Sequence, residues 1–85
     1  MRGFQVAPAE LEGILLSNPL VLDCAVTAYY DEDKATEFPR AFVVVDPKNR
    51  NEATAKSIRA FVDGQTTYYK HLIGGVVFLD EIPKK

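Results

Sequence analysis

The chain has one cysteine, one histidine, no long apolar run and no excess of either charge, and each shortage removes a class of function. Cys24 has no second thiol to pair with, and it lies in a hydrophobic stretch, so a reduced, buried structural thiol is the expected reading. His71 has no partner with which to build a metal site, and no metal is expected. No segment approaches the roughly 18 apolar residues of a membrane-crossing helix. The opening residues carry one positive charge, at Arg2, with no apolar run behind it, which argues against a secretory leader. Lys and Arg number 10 against 12 Asp and Glu, mixed along the chain, for a net charge of -2. That balance makes no electrostatic case for nucleic acid or for an anionic membrane. A glycine-rich phosphate loop is missing too, because Gly74-Gly75 stands before a strand pattern rather than a helix. Ser17 and Ser57 lack the strand-turn-helix setting of an activated nucleophile. The chain contains no internal repeat, low-complexity tract or linker.

What is present suits one small domain. The 85 residues are 47% hydrophobic, enough for a single modest core, and 26% charged, which is ordinary for a globular chain. Pro8 suits the first turn of a helix, where its missing N–H is not needed, and Glu10 and Glu12 favour the positive end of the helix dipole. Leu11, Ile14 and Leu15 recur at helical spacing, and Ser17-Asn18-Pro19 ends that helix. Cys24–Tyr30 alternates and is rich in strand formers. After the charged loop at 31–34, Pro39 opens a second strand running to Asp46, apolar on both faces and therefore central in its sheet. A second helix is predicted over Glu52–Gln65, with Ala55, Ile58, Phe61 and Val62 on one face, and a third strand over Val76–Leu79. The segment from Tyr68 to Ile73 fits no pattern. The order helix, strand, strand, helix, strand predicts an α+β domain: a sheet of about three strands with two packing helices. The first two strands can form an antiparallel hairpin, and the strand-helix-strand unit can be parallel. Leu11, Leu15, Val26, Phe42, Val44, Phe61, Val62 and Val77 are the expected core.

No complete catalytic constellation is visible. Asp31, Glu32, Asp33 and Glu37 cluster, but carboxylates in a loop are ordinarily a solvated surface. Tyr68-Tyr69 beside Lys70 can stack on a base, though paired tyrosines beside a helix more often pack as structure. Arg2 beside Gly3 is the more informative pair, since glycine admits close backbone approach to a ligand while arginine supplies charge.

Residues 3–12, Gly-Phe-Gln-Val-Ala-Pro-Ala-Glu-Leu-Glu, resemble a signature of the adenylate-forming superfamily, nearest its 4-coumarate–CoA ligase and luciferase branch. Further blocks resemble that family in order: Ser17-Asn18-Pro19, Asp23-Cys24-Ala25-Val26, Glu37 to Val44, Tyr69-Lys70 and Gly75 to Lys84. The resemblance covers essentially the whole chain. It implies the small C-terminal lid domain, residues 1–85, of an acyl-CoA ligase that joins a carboxylate to AMP with ATP and Mg²⁺ and then passes the acyl group to coenzyme A. It implies a large N-terminal adenylation domain as partner, and this domain holds the small carboxylate substrate and most of the nucleotide pocket. Arg2 falls where the branch usually carries a lysine of the thiol-transfer step. Gly3, Phe4 and Gln5 fall on the loop that approaches the cofactors. The lysine of the adenylation step belongs a few residues beyond Lys84, in a Ser/Thr-Gly-Lys segment this sequence does not include; Lys84 itself is a different position. Thr36 replaces a common glycine, and arginine at position 2 suits electrostatic roles better than proton transfer. The resemblance leads us to expect no ligase activity and no bound cofactor for the chain alone, and an intracellular, cytoplasmic setting. The alternative is a stand-alone interaction module that retains the lid fold without catalysis.

Overall fold

The computed structural model describes residues 8–66 and 71–83. Helix α1 spans Pro8–Leu16, strand β1 Asp23–Asp31, strand β2 Thr36–Val44, helix α2 Glu52–Asp63 and strand β3 Val76–Phe78. A 3₁₀ turn at Pro47–Asn49 links β2 to α2. The strands form one sheet in the order β1-β2-β3, antiparallel between β1 and β2 and parallel between β2 and β3. The α+β class, the hairpin, the parallel crossover and the central place of the second strand all agree with the sequence reading.

Local chemistry explains the boundaries. α1 stops one residue before the expected Ser17 because the Ser17 hydroxyl and amide both turn back to the Ile14 carbonyl. The Asn18 side chain then accepts the Leu20 amide, forming a turn before the strand. Asn51, in extended conformation, caps α2 by accepting the Thr54 amide at 2.9 Å. α2 ends at Asp63 rather than Gln65. The Gln65 amide side chain and the Thr66 hydroxyl reach back to the Phe61 and Val62 carbonyls, satisfying the last turn from outside the helix.

Two expectations need correction. Pro39 does not open β2; it lies inside it, opposite Ala28. The Ala41 amide donates towards Gly75, so the nitrogen of Pro39, two residues earlier, faces the same side, at a level where β3 has not yet begun. Proline is tolerated in this central strand because no strand partner waits for its missing donor. The second correction concerns the core. Leu11, Leu15, Val26 and Val62 are buried as expected, whereas Phe42, Val44 and Phe61 are half-buried and Val77 is exposed. Ala41, Val43 and Val45 are the fully enclosed residues of the β2 region, at 0%, 0% and 1% exposure. They share their face with Cys24 and Val26 of β1, and the two helices close over it with Leu11, Leu15, Ile58 and Val62. Phe42, paired with Ala25 and Val77, points the other way.

Candidate functional site

Arg2, Gly3, Phe4 and Gln5 lie outside the described residues, as do Tyr68, Tyr69, Lys70 and Lys84. The structure shows the frame to which they are joined. α1 begins at Pro8, three positions beyond Gln5. Its inner face, Leu11 and Leu15, is wholly buried against the sheet. Glu12 is not placed to gain from the helix dipole, the role expected of it. It lies beyond the first turn, and its Oε2 accepts the Val26 amide of β1 at 2.9 Å. The carbonyl of the same residue accepts from the Cys24 thiol at 3.6 Å. Burial pushes that thiol up from 9.0 to about 11, and the carboxylates of Glu12 and Asp23 add to the shift, so Cys24 is a protonated donor rather than a nucleophile. The sequence singles out Glu12 only as an acidic residue near a helix start. Nothing in its spacing indicates an amide fourteen residues away.

The unplaced stretch before β3 also acquires a structure from residue 71 onward. Leu72 is fully buried and joins the core, its amide held at 2.9 Å by Oδ1 of Asp63. Oδ2 of Asp63 pairs with Arg59 one turn earlier in α2. Gly74 is pinned from two sides, its amide to the Pro39 carbonyl at 2.9 Å and its carbonyl by Nε of Arg40 at 2.7 Å. A Cβ at Gly74 would stand 2.7 Å from that same Pro39 oxygen, so only glycine fits so close an approach. The Arg40 guanidinium lies 4.0 Å from the centre of the Tyr29 ring, which holds it in place for the Gly74 contact.

Beyond β3, the Leu79 amide adds one further bond to β2 at Val43, and Asp80 pairs with Arg50 at 2.6 Å. The chain then turns under the sheet. Ile82 and Pro83 line a shallow groove of about 260 Å³ together with Ala25, Thr27, Phe42 and Leu79, on the face that the helices leave open. Among the described residues no group of three or more His, Cys, Asp or Glu side chains could hold a metal ion. His71 lies 3.3 Å from the Thr66 carbonyl. The acidic residues at 31–33 form the hairpin turn, where Oδ1 of Asp31 accepts the amides of Asp33 and Lys34. No helix among the described residues is long and apolar enough to cross a membrane.

Comparison with known proteins agrees with this frame. The model of the AMP-binding enzyme C-terminal domain matches residues 10–85. An acyl-CoA ligase of Aspergillus niger, azaF, is 45% identical over 84 residues, which is 99% of this chain and 15% of that protein. 4-Coumarate–CoA ligase 1 of Petroselinum crispum is 48% identical over 83 residues, 98% of this chain and 14% of that protein. The crystal structure of the anthranilate CoA ligase AuaEII in complex with anthranoyl-AMP superposes with a TM-score of 0.84 at 28% identity, over all of this chain and 17% of that one. The chain thus spans about one-sixth of the length of its relatives, and it belongs to the family of C-terminal domains of AMP-binding enzymes, alongside those of acyl-CoA and 4-coumarate–CoA ligases.

Proposed function

We propose that this chain is the mobile C-terminal lid of an ATP-dependent, AMP-forming acid–thiol ligase, and that its loop at Arg2, Gly3, Phe4 and Gln5 serves the thiol-transfer half-reaction. The observation that carries the reading is the combination of a family match over residues 10–85 with relatives in which the same stretch is only 15% of the protein. A domain of that share works with a much larger body, and the reading gives that body the carboxylate, ATP with Mg²⁺, and most of the coenzyme A site. ATP and coenzyme A supply, respectively, the activating adenylyl group and the accepting thiol. The groove described above does not suit a nucleotide: it is lined by Ala25, Phe42, Leu79, Ile82, Pro83 and Thr27, an apolar set with a single hydroxyl. Binding sites bury most of their ligand in a preformed cleft furnished with matched polar groups.

In this reading the chain supplies position and charge. Arg2 holds a permanent cation beside the transfer step without moving a proton, since guanidinium stays protonated at all ordinary pH. Gly3 leaves room for the backbone to lie along an extended ligand. The chain by itself lacks the positioning and the charge stabilisation that acyl-phosphoryl chemistry demands. It releases no pyrophosphate from ATP with any acid, and it binds AMP or coenzyme A only in the millimolar range, because one exposed cation–phosphate contact is worth about 1 kcal/mol or less. In the complete ligase, Arg2→Ala slows transfer to coenzyme A about tenfold while adenylation changes little. The test measures the two half-reactions separately, and equal loss in both removes the assignment of Arg2. Micromolar nucleotide binding by the isolated chain would favour a self-sufficient module instead.

A further inference from the structure

Glu12 performs a task that helix formation does not ask of it. It is the fifth residue of α1, past the turn in which a carboxylate gains from the helix dipole. Its side chain leaves the helix and bonds the amide of Val26, while its own carbonyl receives the thiol of Cys24. Val26 and Cys24 are alternate residues of β1, the outer strand of the sheet, with both side chains buried beneath α1. One helical residue thus grips the strand at two points two residues apart.

Leu11 and Leu15 bury the helix face, but apolar packing is non-directional and restrains sliding or rolling weakly. A hydrogen bond is directional, and its strength falls steeply as the angle opens. The Glu12 pair therefore sets where α1 stands along β1 and how it is turned about its axis. α1 is the element to which the Arg2–Gln5 loop is directly joined through Val6 and Ala7. Resting on the reading that this loop serves thiol transfer, we propose that Glu12 is a positioning residue for it: the carboxylate fixes the loop's point of attachment and touches no ligand. An error of about 1 Å in the placement of reacting groups is enough to slow a step up to a hundredfold.

The experiment uses the complete ligase with Glu12→Gln, Glu12→Asp and Glu12→Ala, and Arg2→Ala as an independent control. Adenylation is followed by pyrophosphate exchange, and thiol transfer by single turnover with coenzyme A. The acid is the most active of a panel of aromatic and fatty carboxylic acids. Glutamine keeps the reach and the acceptor oxygen but not the charge; aspartate keeps the charge but is one methylene short. Glu12→Asp and Glu12→Ala are expected to slow thiol transfer about tenfold with adenylation within about twofold, and Glu12→Gln to retain both. In the 85-residue chain, amide exchange at Val26 is expected to quicken about tenfold in Glu12→Asp and not in Glu12→Gln. The proposal is overturned if aspartate matches the wild type, if glutamine loses as much as alanine, or if both half-reactions fall equally, as a purely stabilising role would make them. Should Glu12→Ala not fold, the Gln and Asp pair decides alone. If Arg2→Ala leaves thiol transfer intact, the reading of the loop falls, and that outcome is separate from any result at Glu12.

Discussion

Along the run 41–45 of the β2 region, apolar residues alternate between the two faces of the sheet, yet those faces have opposite fates. On one face Ala41, Val43 and Val45 are sealed under α1 and α2. On the other, Phe42 and Val44 are half-buried, Val77 is 36% exposed, and among the described residues the exit segment at Ile82 and Pro83 crosses part of the surface. The larger side chain, Phe42, belongs to the less buried face, and the smallest, Ala41, to the fully buried one. Size and hydropathy therefore do not decide burial here. The position of the covering layer does, and the crossover through α2 together with the return of α1 places both helices on one side.

The comparison is tested most strongly by truncating one apolar side chain on each side. Ile58→Ala, under the covered face, is expected to lower stability by about 3 kcal/mol, since the helix cannot collapse into the space left. Phe42→Ala, although it removes more atoms, is expected to lower it by about 2 kcal/mol, because its ring is only partly covered and lines the open groove. Urea unfolding of the two variants measures this, and equal losses would show that the second face is closed as firmly as the first.

A smaller effect follows from the thiol under α1. Folding raises Cys24 from 9.0 to about 11, chiefly through burial. Between those values the unfolded chain has lost the proton and the folded chain retains it, so the folded state binds more protons and stability falls as pH rises. The contribution, on the order of 2 kcal/mol, is fully present below about pH 9 and is lost as pH climbs through 11. Cys24→Ala is expected to flatten that part of the stability–pH curve; an unchanged slope would place the thiol in water rather than on the covered face.

The smallest effect lies at the hairpin tip, away from both faces. Ala35 holds a positive φ of 54°, a left-handed conformation that a side chain disfavours. Ala35→Gly is expected to raise stability by about 0.5–1 kcal/mol, read as a higher urea midpoint with unchanged slope. The residue in this conformation is Ala35 and not its neighbour Thr36, so replacing Thr36 by glycine is expected to give no comparable gain.

Much of the fold is legible in the residues. Leu11 and Leu15 mark the inner side of α1, Glu52 marks the start of α2, and the doubly apolar run 41–45 marks a central strand. That last signal could not say which of its two faces the helices would cover, and the expectations at Phe42, Val44 and Val77 failed together for this one reason. Leu72 was illegible because a single apolar residue carries no period; it is buried through the Asp63 carboxylate and the pinned Gly74, contacts made across nine and more than thirty residues. For the candidate site, the resemblance at residues 3–12 pointed to the family that the match over residues 10–85 shows, since matching residue types in order needs no coordinates. The residues that hold its frame in place were not readable in the same way.

The amino-acid sequence by itself determined the α+β class, the elements and their order and the resemblance to the family, because these rest on local periodicity, turn chemistry and motif order along the chain. Only the tertiary structure decided which side of β2 became the core, how Pro39 could stand within a central strand, and that Glu12 would clasp β1 rather than sit in the first turn of its own helix. Each of these depends on the direction in which a group points towards a distant partner, and direction between remote segments is set only when the layers pack.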